Sequence, residues 1–310
     1  MKRKSLILLL PALLLSSCGN DPLALPNPGK EVSKEEVEKN FEEAIEPVKE
    51  SGLIGFEIKD AYCKASLITS STNIPMGGGQ SGSVKTTMNI DYSEINVRGS
   101  LGGFNQEDSS KLKADLVASG KFTSNQEREI LGVVSKSSSD SKLDAKFYVR
   151  ENMVYIYNQS PFAKLPLTQD NLPTIDFDAS IDFTQVFGDE ASYKDHGNGT
   201  YSVSSSLTNE TIDNLLKNSA KEQYEQLKDA LHYDIKKAET VFLFNAQGPL
   251  SLGLDLDLTA DMSVQGDAIS SSKSEFSLQS KFKISFLTAD KVLFDEVDPS
   301  LYPDSSSTLY

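Results

Sequence analysis

The stretch Leu250-Ser251-Leu252-Gly253-Leu254-Asp255-Leu256-Asp257-Leu258-Thr259-Ala260-Asp261-Met262-Ser263-Val264 carries an apolar residue at every second position. After a polar run, Gln265 to Lys273, the alternation resumes with Phe276, Leu278, Phe282, Ile284 and Phe286 on one side and Glu275, Ser277, Gln279, Lys281, Lys283 and Ser285 on the other. A period of two predicts an antiparallel strand with one dry and one wet face. At about 3.3 Å per residue the first strand would run ~50 Å, far beyond an ordinary strand. A sheet this long should twist and curl, giving its apolar side a concave shape.

Working back toward the N-terminus, similar alternations occur at 53–69, 84–98, 112–118, 143–149, 153–157, 175–183, 201–207 and 240–246. Glu151-Asn152 and His196-Gly197-Asn198-Gly199 read as turns between strands. Residues 72–83, with Gly77-Gly78-Gly79, read as a loop, and Gly99, Gly102 and Gly103 as strand breakers. Residues 125–134 fit helix as well as strand, and Ser137-Ser138-Ser139 reads as a turn. Pro161, Pro166 and Pro173 frame a further loop. Two segments have helical periodicity. The first opens with Ser33 and Glu36 as a capping box and carries Val37, Phe41, Ala44, Ile45 and Val48 as one stripe, with Pro47 expected to kink or stop it. The second starts near Asn209 and carries Ile212, Leu215, Leu216, Tyr224, Leu227 and Leu231. With no βαβ rhythm, the expected fold is mainly β (α+β): a large curved antiparallel sheet or half-barrel, with both helical segments packed on its concave face.

The first residues read as a targeting segment. Lys2, Arg3 and Lys4 precede an apolar run, Leu6 to Leu15, too short for a permanent membrane span. Leu15-Ser16-Ser17-Cys18 resembles the bacterial lipobox, and that resemblance implies cleavage before Cys18 and acylation of its thiol. The expected organisation is a signal peptide (1–17), a Pro-rich tether (18–31), one antiparallel β domain with helices (32–297) and a flexible tail (298–310). The expected location is the extracytoplasmic side of a bacterial cell membrane, held by the lipid anchor.

The formal charge is −15. Removing residues 1–17 removes three basic residues and no acidic one, taking it to −18. Such a chain repels nucleic acid and anionic headgroups. The only other cysteine, Cys63, reads as a small buried hydrophobe. There is no H-E-x-x-H, C-x-x-C, G-x-S-x-G or Walker sequence, and only two histidines, His196 and His232, so no enzyme, cofactor or metal is expected. Asp255 and Asp257, like Asp176, Asp178 and Asp182, share one strand face at ~7 Å spacing and read as solvent-facing rather than as cation ligands.

The order of elements over residues 33–287 resembles LolA/LprG-like bacterial lipoproteins, half-barrels whose concave face takes acyl chains. The resemblance implies a lipid-anchored protein that binds or carries a hydrophobic ligand in an apolar concave sheet. The residues facing that space would be Val37, Phe41, Ile45, Phe177, Ile181, Leu254, Leu256, Phe276 and Phe282. The alternative is a non-enzymatic surface adhesin or partner-binding scaffold with a closed core.

Overall fold

The computed structural model describes residues 21–76, 80–106, 108–167, 190–206, 208–210, 231–265 and 271–304, with Phe183, Phe187 and Gly188. Cys18, Phe177, Ile181 and nearly all of the second helical segment lie outside the described residues. Twelve strands form one open antiparallel sheet. In chain order they are β1 (Lys30–Glu31), β2 (Leu53–Met76), β3 (Gln80–Gly102), β4 (Lys113–Ile130), β5 (Val133–Arg150), β6 (Met153–Asn158), β7 (Pro161–Pro166), β8 (Ser192–Asp195), β9 (Tyr201–Ser206), β10 (Leu231–Asn245), β11 (Gly248–Gln265) and β12 (Ser271–Leu287). Their spatial order is β1-β8-β9-β10-β11-β12-β2-β3-β4-β5-β6-β7. The opening stretch is therefore β11, central in the sheet and paired with β12 from Ser251↔Ser285 to Gln265↔Ser271 without a register shift.

Helix α1 (Lys34–Ser51) starts where the capping box predicts, with the Ser33 hydroxyl accepting from the Glu36 N–H at 3.2 Å. Pro47 does not end it. The helix runs on one turn to Gly52, whose left-handed backbone (φ 60°) lets its N–H reach the Val48 and Lys49 carbonyls. Val37, Phe41 and Ala44 are buried against Phe242 and Phe244 of β10.

Register assigns each residue to one of two faces. The apolar face carries Phe242, Leu252, Ile284, Ile58, Val97 and Ala118 in one cross-strand row. The opposite face carries Gly55, Ser100, Asp115, Tyr148, Tyr155 and Lys164 in another. Helix α1 lies on the apolar face near β10. The C-terminal segment crosses the other face, with Val292 against Gly55, Phe294 against Gly102, and Tyr302 against Tyr155 at 5.3 Å between ring centroids.

Several expectations need correcting. The expected loop at 72–83 is strand as far as Met76 and again from Gln80. Gly99 and Gly102 lie inside β3, where Gly99 leaves room for the Phe56 ring on the neighbouring strand. The helix-ambiguous 125–134 and the Ser137–Ser139 turn are strand, joined by a tight turn at Leu131-Gly132. The Pro161–Pro166 loop is an edge strand, where missing N–H groups are tolerated. Phe183 is helical, not the end of a strand. Residues 21–31, the described part of the expected Pro-rich tether (18–31), lie against the sheet: Pro22 is fully buried against Gly253, Asn27 bonds His196, and β1 pairs with β8. The expected flexible tail is docked through Asp304, with the Lys164 N–H donating to the Pro303 carbonyl at 3.0 Å.

Candidate functional site

The helix stripe meets the sheet directly. The Phe41 ring lies 5.4 Å from Phe183, 5.5 Å from Phe242 and 5.1 Å from Phe244, centroid to centroid. Such separations are ordinary aromatic packing, so the space beneath Phe41 is filled by side chains. Ile45 packs against the same cluster. A second cluster, Ile58, Ala61, Ile95, Val97, Phe282 and Ile284, occupies the middle strands and meets the first through Leu252 and Phe286. Leu254 packs on this second cluster. Leu256 is buried, whereas Phe276 is half-buried.

The apolar face then continues beyond both clusters. Two adjacent rows cross β11, β12, β2 and β3: Leu258–Leu278–Ala65–Ile90 and Ala260–Phe276–Leu67–Met88. None of these eight is buried, and Leu67 is 39% exposed. Leu116 and Phe147, also exposed, lie on the same face. Sequence alternation put these residues on one side. It could not tell which of them α1 would cover.

The opposite face is built from charge pairs. The Asp255 carboxylate accepts from Lys237 at 2.8 Å and lies 3.3 Å from Lys281, while Asp257 accepts from Gln279 at 3.0 Å. Burial works to raise the Asp255 pKa, but the two ammonium groups outweigh it and hold the carboxyl below its usual range. Asp176, Asp178 and Asp182 lie outside the described residues. Two open depressions lie among such groups. One, of about 640 Å³, is bordered by Asp60, Lys64, Asp91 and Glu94, and the other, of about 440 Å³, by His232, Asp234, Asp261, Lys273 and Glu275. Of the described cavity candidates, only Phe276 borders either depression.

The first depression sits where three successive strand pairings, β12–β2, β2–β3 and β3–β4, slip register. The shifts fall at Lys281/Ile284, Ile58/Ala61 and Ser93/Asn96. Asp60 and Glu94 both adopt left-handed backbone (φ 53°), and the Asp60 N–H donates to Asn96 Oδ1 at 3.2 Å. Aligned bulges bend a sheet, and no sequence signal marked them, because neither position is glycine. His196 is buried, with Nε2 2.8 Å from the Ser202 hydroxyl and Nδ1 3.3 Å from Asn27 Oδ1. Its ring fastens the N-terminal segment to the β8–β9 hairpin. His232 is exposed.

No protein-family model matches the sequence, and no curated protein matches it. Among solved structures, the crystal structure of the outer membrane protein OprG from Pseudomonas aeruginosa is similar at 10% identity over 76% of this chain and 97% of that chain. Its TM-score of 0.19 is too low to carry an argument about fold or function.

Proposed function

We propose that this chain is a non-enzymatic, lipid-anchored extracytoplasmic bacterial protein that binds a hydrophobic, acyl-chain molecule along the apolar face of its sheet. The observation that carries the reading is the pair of half-buried apolar rows across β11, β12, β2 and β3, extending past the Phe41 cluster. Extended apolar surface rimmed by polar groups marks a site of association. The direct packing of Phe41 moves the proposed site away from α1 and onto Leu67, Phe276 and Leu278. The Leu15-Ser16-Ser17-Cys18 pattern supports the anchor, and an acyl ligand fits a protein held at a source of lipid.

The test is native mass spectrometry of the full chain mixed with a C16 fatty acid, alongside Leu67→Asp and Phe276→Asp. Stoichiometric uptake that either substitution abolishes supports the reading. No uptake by the unaltered chain, or uptake unchanged in both variants, overturns it. The second reading, a partner-binding scaffold, is favoured by a different observation: ten consecutive exposed residues, Val133 to Lys142, on one strand.

A further inference from the structure

Each outer edge of the sheet is short or covered. Strand β1 is two residues long, and β7 has prolines at both ends and receives Pro303 and Asp304 alongside Lys164. The far half of β5 is different. It pairs with β4 without a shift from Ala114↔Val149 to Ile130↔Val133, but β6 reaches only Ala145. Residues 133–144 therefore have a neighbour on one side only among the described residues, and Val133 to Lys142 are all exposed. No proline, glycine or bulge interrupts them, although natural sheets usually blunt such an edge.

The direction of the free backbone groups is fixed by Gln159. Its N–H donates to the Asp144 carbonyl at 2.8 Å and its side-chain amide to the Lys142 carbonyl at 3.1 Å. Even-numbered residues thus aim their backbone groups away from β4, and alternation extends this to Val134, Lys136, Ser138 and Asp140. Gln159 closes the edge at one end, and the Leu131-Gly132 turn closes it at the other.

We propose that this edge pairs with the same edge of a second copy of the chain, antiparallel about a two-fold axis at Ser138. In that register Lys136 of each copy faces Asp140 of the other, and Ser138 faces Ser138. The three even-numbered pairs exchange about six main-chain hydrogen bonds. Charge selects the register: a slip of two residues one way sets Lys136 against Lys142, and the other way loses both opposite-charge pairs. Asp140 has no charged partner in its own chain among the described residues. Lys136, which pairs with Glu127 at 2.6 Å, then sits between two carboxylates. Small serines at 135, 137, 139 and 141 leave room for the approaching strand. An isologous contact of this kind closes at two copies. The β10 edge, with its bulge between Ile235 and Lys237, is a poorer template.

Disulfide trapping in the full chain tests the pairing. Cα atoms of a hydrogen-bonded antiparallel pair lie about 5.5 Å apart, within disulfide range. Ser138→Cys with a mild added oxidant is expected to give a covalent dimer at least about tenfold faster than Ser272→Cys, an exposed site on an interior strand. Asp140→Lys in the Ser138→Cys background should slow trapping by about tenfold, because like charges then meet twice. Adding Lys136→Glu should restore it. Equal trapping at 138 and 272, indifference to Asp140→Lys, or a ladder of higher oligomers in place of a dimer would overturn the proposal.

Discussion

Cys63 lies between Ser280 and Tyr92 on the neighbouring strands and is 5% exposed. Burial raises its thiol pKa, and the nearby Asp91 carboxylate adds to the effect. The native thiol is therefore both shielded and protonated. Iodoacetamide at pH 8 should modify it at least ~100-fold more slowly in the folded chain than in 6 M guanidinium. Equal rates would mean that the middle of β2 is open. Asp255 gives a pH dependence of defined sign. Its folded pKa lies below the unfolded carboxylate value of about 3.9, so its stabilising contribution is complete above that value and is lost as pH falls through the folded pKa. Asp255→Asn should unfold at lower urea than the unaltered chain at pH 6, with the gap narrowing below pH ~4. A gap that widened with acid would contradict the assigned pairs. The residue's place on a polar strand face was readable from its alternation with Leu254 and Leu256. Its two lysine partners depend on the strand register, which the sequence pattern did not contain.

At the scale of elements, the C-terminal segment crosses six strands along one row of the polar face and is fastened in the middle by ions. Asp115, whose side chain is fully buried, lies 2.6 Å from Arg150 and accepts from the Asp295 N–H at 2.7 Å. Arg98 reaches Asp295 Oδ1 at 2.5 Å, and the Tyr148 hydroxyl donates to Asp295 Oδ2 at 3.3 Å. Burial, with the Asp295 charge next, pushes the Tyr148 phenol well above the ordinary tyrosine range. Removing one member of a buried pair strands the other, so Asp115→Asn should cost about 3–5 kcal/mol by urea unfolding. It should also release the segment, seen as new proteolytic cleavage near Leu293. A loss under 1 kcal/mol would mean the strap does not depend on this pair. These partners lie far apart in sequence, and a Pro- and Ser-rich end looks the same whether free or docked. Helix α1 was legible because its cap and stripe are local. The turn predicted at Ser137–Ser139 failed for a related reason. Serine favours turns in isolation, but unbroken pairing with the long strand β4 overrides that preference.

Across the whole molecule the sheet has two unlike halves. From the bulges at Asp60 and Glu94 toward Leu53 and Gly102, α1 lies on one side and the C-terminal segment on the other. Beyond the bulges, the described residues place no second layer on either face, and the polar face is held by exposed pairs such as Lys64–Asp91 at 3.6 Å and Lys136–Glu127. Surface pairs of this kind contribute little. A single layer buries apolar area only between side chains in one plane, so its hydrogen bonds should open at lower free energy than those beneath two layers. Native-state hydrogen exchange should find amides of residues 64–72 and 84–92 opening before those of 95–101, although the same strands carry both. The order discriminates between the molecule's two proposed associations. An acyl ligand on Leu67 and Phe276 would protect the interior strands β2 and β12. Self-pairing at Ser138 would protect the even-numbered amides of β5 first and the interior strands less. Uniform protection along β2 and β3 in the unliganded monomer would remove the distinction between the halves, and with it the reason for placing a ligand on the far one.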